Sequence, residues 1–425
     1  MNIRFYNARI LTMADGCRIR AGELWVKGNT IIHVGLEEDE PEMPRWDREI
    51  DAQGNLLMPG FKNAHTHSGM TFLRSYADDL PLAEWLNQKV FPMEAKLTPE
   101  DIYQLCRLAI MEYLTSGITA NFDMYLTPDT MVQASVDCGF RTVICGAVND
   151  FTQSVEETER WYRKYNHYHE LISYRLGFHA EYTTSREILE GIAALAEKYH
   201  APVYTHLAET EDEVRRCIER NHKTPAAYLD SLGIFAYGGG GFHCVHMTKE
   251  DMRILKDRGV SVVTNPASNL KLASGIAPVR EMDDLGIRIA IGTDGPASNN
   301  CLDMFREMFL VTGLAKLREM DAAALDANRV LCMATVNGAK VMGLSDCDTL
   351  EPGKKADLIM IDLHQPNMQP MNRITKNIVY SGSKQNVKLT MVNGKILYES
   401  GYFDIGVEPE EVYARANEII RKYSY

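Results

Sequence analysis

Between residues 60 and 345 the chain repeats one pattern eight times: a short apolar run, then a longer stretch with helical spacing. The apolar runs are Phe61–His67, Ile118–Phe122, Arg141–Ala147, Tyr174–His179, Pro202–Leu207, Gly241–Val245, Val260–Asn265 and Ile287–Thr293. The clearest helix start is Thr98-Pro99-Glu100-Asp101. Threonine caps, proline takes the first helical position, and the acids suit the positive end of the helix dipole. That helix is expected to end before Gly117. Eight strand–helix units in one continuous segment predict an α/β fold, a TIM-like (β/α)8 barrel. The run Gly238–Gly241 lacks the Gly-Lys-Ser/Thr ending of a phosphate loop and is read as a helix-to-strand turn.

The two ends of the chain have a different texture. Ile31–Gly35 and Asn55–Gly60 are apolar and turn-bounded, as are Asp357–Asp362 and Leu389–Leu397, the last with an Asn393-Gly394 hairpin turn. Neither end is long enough to bury a core alone. The expectation is one small β-sandwich domain built from residues 1–59 and 346–425, flanking a barrel of residues 60–345. Pro409–Lys422 has helical spacing and is expected to lie on the surface.

A formal net charge of -13 argues against nucleic acid or an anionic membrane as the main partner. No run of about 18 uncharged apolar residues occurs, so no membrane span is expected. Nine scattered cysteines without a Cys-x-x-Cys pair exclude a zinc ribbon or a thioredoxin-type motif and fit reduced thiols. The start of the chain lacks the apolar segment of a secretory signal. Together these place the protein in the cytoplasm, with a homo-oligomer left open.

Functional residues of such barrels sit at the C-terminal ends of the strands. Strand one ends in His65-Thr66-His67, strand four in His179, strand five in His206, strand six in His243, and strand eight in Asp294. Residues i and i+2 of a strand share a face, so His65 and His67 form half of a metal site. His206 and Asp294 complete it. Three imidazoles and a carboxylate suit one divalent ion, zinc first, with Fe2+ or another divalent ion as alternatives. A second pair, His167 and His169, falls in Glu156–Leu171, which reads as helix, where i and i+2 diverge. His33, His200, His222 and His364 read as isolated loop or surface residues, and His246 as packing or pocket lining. The patterns of cytidine-type zinc deaminases and of His-Glu-x-x-His peptidases are absent. Ser268-x-x-Lys271 has no accompanying Lys-Thr-Gly and is read as the loop after strand seven.

The motifs Pro59-Gly60-Phe61-x-Asn63-Ala64-His65-Thr66-His67, His206-Leu207-Ala208-Glu209, His243-Cys244 and Gly292-Thr293-Asp294-Gly295 resemble the amidohydrolase superfamily. The stretch Met70–Arg74 through Ala77–Leu82, Trp85-Leu86 and Phe91-Pro92-x-Glu94-x-Lys96-Leu97-Thr98 is similar to its 5'-methylthioadenosine/S-adenosylhomocysteine deaminase group. Asn265–Gly275 and Gly292–Asn300 carry the same likeness, which spans nearly the whole chain.

The resemblance implies that His65, His67, His206 and Asp294 hold one metal and that His243 contacts its water. It implies that Glu209 works on the purine ring, Glu94 binds the ribose hydroxyls, and Trp85 and His179 line the base pocket. Asp294 would also take part in catalysis, and the substrate would be a small nucleoside. The group also carries arginines after strand three for a substrate carboxylate. Here Gly146–Thr152 has none, which favours neutral 5'-substituted adenosines. Two alternatives stay open: a hydrolase of triazines or other aminated heterocycles, and a barrel scaffold without catalysis.

Overall fold

A computed structural model describes residues 1–36 and 45–423. Two sheets organise them. The first combines both ends of the chain: β1 (Asn2–Met13), β2 (Gly16–Lys27), β3 (Thr30–Gly35), β4 (Arg48–Asp51) and β5 (Leu56–Pro59), with the later β14 (Leu358–Ile361), β15 (Val387–Val392), β16 (Lys395–Glu399) and β17 (Tyr402–Phe403). Its order is β17-β16-β15-β14-β5-β1-β2-β3, with β4 beside β1. The antiparallel pair β5–β14, with Leu57 opposite Met360, knits the two ends together. The Asn393-Gly394 turn joins β15 to β16, both residues at positive φ, as a two-residue hairpin requires.

The second sheet holds eight parallel strands in sequence order: β6 (Phe61–Thr66), β7 (Ile118–Met124), β8 (Arg141–Cys145), β9 (Ile172–Ala180), β10 (Val203–Leu207), β11 (Gly239–His243), β12 (Val260–Thr264) and β13 (Ile289–Ile291). Its ends meet where the Asp294 amide donates to the His65 carbonyl at 3.0 Å. Ala64, Phe122, Val143, Tyr204, Phe242, Val263 and Ala290 come from seven of these strands and form one buried cluster, which fills the barrel interior. This is the predicted (β/α)8 architecture. The expected helix runs Pro99–Thr115 and opens with a reciprocal cap between Thr98 and Asp101.

Alternation along β5 and β14 shows how the two sheets cohere. Leu57, Leu358 and Met360 join Phe5 and Leu24 in the core of the first sheet. Their neighbours Leu56, Met58, Ile359 and Ile361 face the other way, into the core shared with the barrel. Arg141, at the start of β8, donates to the Asp357 carboxylate at 2.7 Å, with both side chains buried. It therefore sits at the N-terminal end of its strand, away from the strand ends that carry the histidines. The terminal helix Pro409–Tyr423 docks on the barrel side through Tyr423 Oη, which donates to Asp101 at 2.6 Å. Its Ala416 and Ile419 share a buried cluster with Met70 and Trp85.

Three sequence expectations are corrected. Gly239–Gly241 lie inside β11 and do not form a turn. A Cβ on Gly240 would stand 2.6 Å from the Tyr204 ring of β10, so the run is a close strand approach. The helix over Glu156–Leu171 stops at Tyr165, which leaves exposed His167 and His169 in a turn. His33 is no surface residue: it is buried with its ring 4.6 Å from that of Trp25. Among the described residues no helix is long and apolar enough to cross a membrane.

Removing one partner of a buried ion pair strands the other charge. Asp357→Ala is expected to lower unfolding free energy by about 3–5 kcal/mol. Urea denaturation measures this, and a loss near zero would show that Arg141 finds another partner.

Candidate metal centre

The site forms where the chain leaves the strands. His65 lies in β6 and His67 directly follows it; His206 lies in β10, His243 ends β11, and Asp294 follows β13. Ala208, His243, Cys244 and Asp294 all have φ between +47 and +71°, the left-handed region that side chains disfavour. Such conformations persist only where surrounding bonds hold them. Around β10 they do: Ala208 and Glu209 amides donate to the two carboxylate oxygens of Glu213, each at 2.8 Å. The Val245 and His246 amides donate to the Ala208 carbonyl at 3.1 and 2.9 Å. Around β6, the Tyr113 hydroxyl bonds Thr66 Oγ1 at 2.9 Å and Ser68 Oγ at 2.8 Å, bracketing His67.

His65, His206, His243 and Asp294 offer donor atoms that all lie within 4.8 Å of one another, and all four are buried. His67 Nε2 adds to them at 3.2 Å from Asp294 Oδ1, beside His65 Nε2 at 3.4 Å. This group contains His243 and not His67; of the sequence set, His65 and His206 lie in it with Asp294, and His67 approaches the same Asp294 oxygen from outside it. Three rings are oriented from behind. His206 Nδ1 donates to the His179 carbonyl at 2.7 Å, His243 Nδ1 to Asn269 Oδ1 at 2.7 Å, and His67 Nδ1 to the Met124 carbonyl. Each bond leaves Nε2 aimed at the centre. Against burial, the Asp294 carboxylate 3.2 Å away pushes His67 up to about 9, so that ring gives up a proton when it ligates a cation. Burial holds His65 down to about 3 and His206 well below the usual imidazole range, so both are neutral, the ligating form. Burial would raise Asp294, but the His65 and His67 rings beside its carboxylate hold it well below the usual carboxylate range.

The donor set fits a divalent ion on an observation of its own. Both ring nitrogens of fully buried His65 lack a hydrogen-bond partner. Buried polar atoms are seldom left so. A cation beside the ionised Asp294 carboxylate would satisfy His65 Nε2, which lies 3.4 Å from Oδ1.

The remaining sequence candidates surround this cluster. Glu209 Oε2 stands 3.8 Å from His243 Nε2, and burial pushes its carboxyl above the usual range. The His179 ring lies 4.9 Å from that of His206 and 6.4 Å from Phe91. Phe91 opens the short helix that ends at Glu94. Trp85 is buried in the preceding turn, and Glu94 Oε1 is buried without a partner. His246 Nε2 bonds the Ser274 carbonyl at 2.7 Å. The segment after β12 is a short helix, Pro266–Lys271, in place of the expected loop, and its Ser268 points at Asp294.

Sequence reasoning missed Glu213, Tyr113, Asn269, Ser268 and Ser298 as partners of the site. Asn269, Ser268 and Ser298 stood within the family motifs, whereas Glu213 and Tyr113 carry no local signal at all.

A parallel eight-stranded barrel with clustered imidazoles and a carboxylate at the C-terminal strand ends has the build of a metal-dependent hydrolase. Comparison with known proteins sharpens this. The Amidohydrolase family model matches residues 56–397. A 5-methylthioadenosine/S-adenosylhomocysteine deaminase of Caldanaerobacter subterraneus subsp. tengcongensis is 39% identical, covering 99% of each chain. A zinc-bound adenosine deaminase from Xanthomonas campestris superposes with a TM-score of 0.93 at 32% identity, covering 100% of this chain and 98% of its own. An atrazine chlorohydrolase from Arthrobacter aurescens shares the fold, with a TM-score of 0.90 at 22% identity over 98% of this chain and 100% of its own. The chain belongs to the amidohydrolase family. Family, donor set and the zinc-bound neighbour together support a divalent metal at this site.

Burial pushes the Glu94 carboxyl up to about 7. An unfolded glutamate titrates near ~4.3. Between those values the unfolded chain releases its proton first, so the folded state loses stability as pH rises. In the metal-free protein, Glu94→Gln is expected to remove that part of the slope, on the order of 3 kcal/mol between about pH 4.5 and 7. Urea unfolding across this range checks it; parallel pH profiles for the two proteins would contradict it.

Proposed function

We propose that this protein is a metal-dependent deaminase that replaces the 6-amino group of an adenosine-type nucleoside with oxygen and releases ammonia. The observation that carries this reading is the Glu209–His243 pair, 3.8 Å apart at adjacent strand ends beside the buried donor cluster. An acid and a base are there within reach of one small volume. The names and zinc of the relatives point the same way.

His65, His67, His206 and Asp294 would hold the ion, zinc being the first candidate. When bound, it supplies Lewis acidity that makes water nucleophilic near neutral pH. His243 is fixed by Asn269 with Nε2 toward Glu209 and is suited to accept and pass on the water proton. Water adds to the ring carbon that bears the amine, and electron density moves to the adjacent ring nitrogen. Glu209, whose carboxyl burial pushes upward, is suited to donate a proton to that nitrogen. The Asp294 carboxylate is suited to take a proton during the same sequence. The water proton passed on by His243 goes to the departing amine, so collapse expels ammonia; the remaining water proton replaces the one Glu209 gave, and the ring retains the oxygen of water.

Glu94 suits the ribose. Its unpartnered, buried Oε1 requires a donor, and a diol supplies two. An aminated triazine has no such diol, which favours a nucleoside over that alternative. Trp85 and His179 would flank the base. Gly146–Thr152 contains no arginine, so a carboxylate at the 5' end lacks a charge-assisted partner. We therefore assign neutral 5'-substituted adenosines, such as 5'-methylthioadenosine, 5'-deoxyadenosine or adenosine, over S-adenosylhomocysteine.

A panel of these nucleosides with the zinc-loaded protein tests the reading through ammonia release. The expected result is turnover with higher kcat/KM for 5'-methylthioadenosine than for S-adenosylhomocysteine. Release from no purine nucleoside would contradict the activity, and the reverse preference would contradict the 5' assignment.

Glu209→Gln is expected to lower kcat by about 10²–10⁴-fold, the usual worth of an acid–base group. Single-turnover rates measure it, and a loss of less than about tenfold would remove Glu209 from proton transfer.

A further inference from the structure

Asp294 is gripped by one of its two oxygens. Its Oδ2 accepts hydrogen bonds from Ser268 Oγ and Ser298 Oγ, each at 2.6 Å. A carboxylate oxygen has two acceptor lone pairs, so both are taken. Oδ1 remains, and it faces His67 Nε2 at 3.2 Å and His65 Nε2 at 3.4 Å.

The two hydroxyls reach this oxygen from different elements. Ser268 stands in the helix Pro266–Lys271 after β12, and Ser298 in the turn of helix Pro296–Asn299 after β13. Both residues are buried. Ser298 Oγ also reaches the Gly295 carbonyl at 3.0 Å, as helical hydroxyls commonly do, but its bond to Asp294 is shorter. One carboxyl spans the pair from behind. Glu307, wholly buried in the helix Met304–Glu319, accepts the Ala267 amide at 3.1 Å and Asn299 Nδ2 at 3.4 Å. Each of those partners adjoins one of the serines in sequence.

We propose that Ser268 and Ser298 are positioning residues that select which Asp294 oxygen meets the metal, with Glu307 setting the spacing between them. The proposal rests on reading the cluster as a metal centre. Occupying Oδ2 keeps Asp294 from turning both oxygens toward the ion, so one coordination position stays open for water, as a catalytic site requires. Without the hydroxyls Oδ2 would be buried and unsatisfied, and the carboxylate would turn.

The test measures Zn2+ affinity of the full chain by competition with a chromogenic chelator. Wild type, S268A, S298A and the double variant are compared, each also with Asp294→Ala. The double variant is expected to bind Zn2+ about 10–100-fold more weakly, the usual cost of losing groups that orient a ligand. With Asp294→Ala present, the same serine replacements are expected to change affinity by less than about twofold, because the group they position is gone. Nucleoside kcat should fall with KM little changed. Unchanged affinity in the double variant, or an equal loss in both backgrounds, would overturn the assignment. Should the double variant fail to fold, the single variants are read by the same comparison, with several-fold losses expected. Wild type that takes up no Zn2+ would instead overturn the metal reading itself.

Discussion

Three imidazoles and a carboxylate from four distant stretches of chain share one buried volume at the mouth of the barrel. Nothing in their own chemistry favours this. Burial disfavours charge on the histidines and on Asp294 alike. Asp294 stays ionised because the His65 and His67 rings lie against its carboxylate, and those rings reach it because the barrel closes there. The hydrogen bond from the Asp294 amide to the His65 carbonyl is both a seam of the fold and part of the site. Closing the barrel and assembling the centre are thus one physical event.

The scaffold around this centre works by fixing ring and carboxylate orientation. Backbone carbonyls hold His67 and His206, Asn269 holds His243, Glu213 holds the turn that bears Glu209, and two serines hold Asp294. The left-handed residues Ala208, His243, Cys244 and Asp294 are the strained points of this framework. They lie where each strand must swing its side chain toward the axis. The proposed substrate side is built differently. Trp85 and Glu94 come from a segment outside the barrel, supported by the terminal helix Pro409–Tyr423, whose Ala416 and Ile419 pack in the same cluster.

Much of this was legible in the sequence because it follows from period and position. Apolar runs separated by helical spacing announce eight strands, and strand ends that carry His65, His206, His243 and Asp294 announce a centre. What was not legible depends on long-range contact. Gly239–Gly241 looked like a turn because glycine usually marks one, yet the close approach of β10, through the Val203 backbone and the Tyr204 and Leu207 side chains, requires them within a strand. The helix ending at Tyr165 was overextended because polar residues continue past it. Glu213, Tyr113 and Glu307 are ordinary helix residues in sequence. Their roles exist only once the barrel has brought the turns of other strands against them.

The central claim is that this cluster works as a single metal centre for hydrolytic deamination. Titrating metal-free protein with Zn2+ while following ammonia release from 5'-methylthioadenosine tests it most directly. The account predicts no release without metal, a rise that saturates at one ion per chain, and one ammonia for each inosine-type product. Release by the metal-free protein, or a rise that continues to a second equivalent, would contradict it.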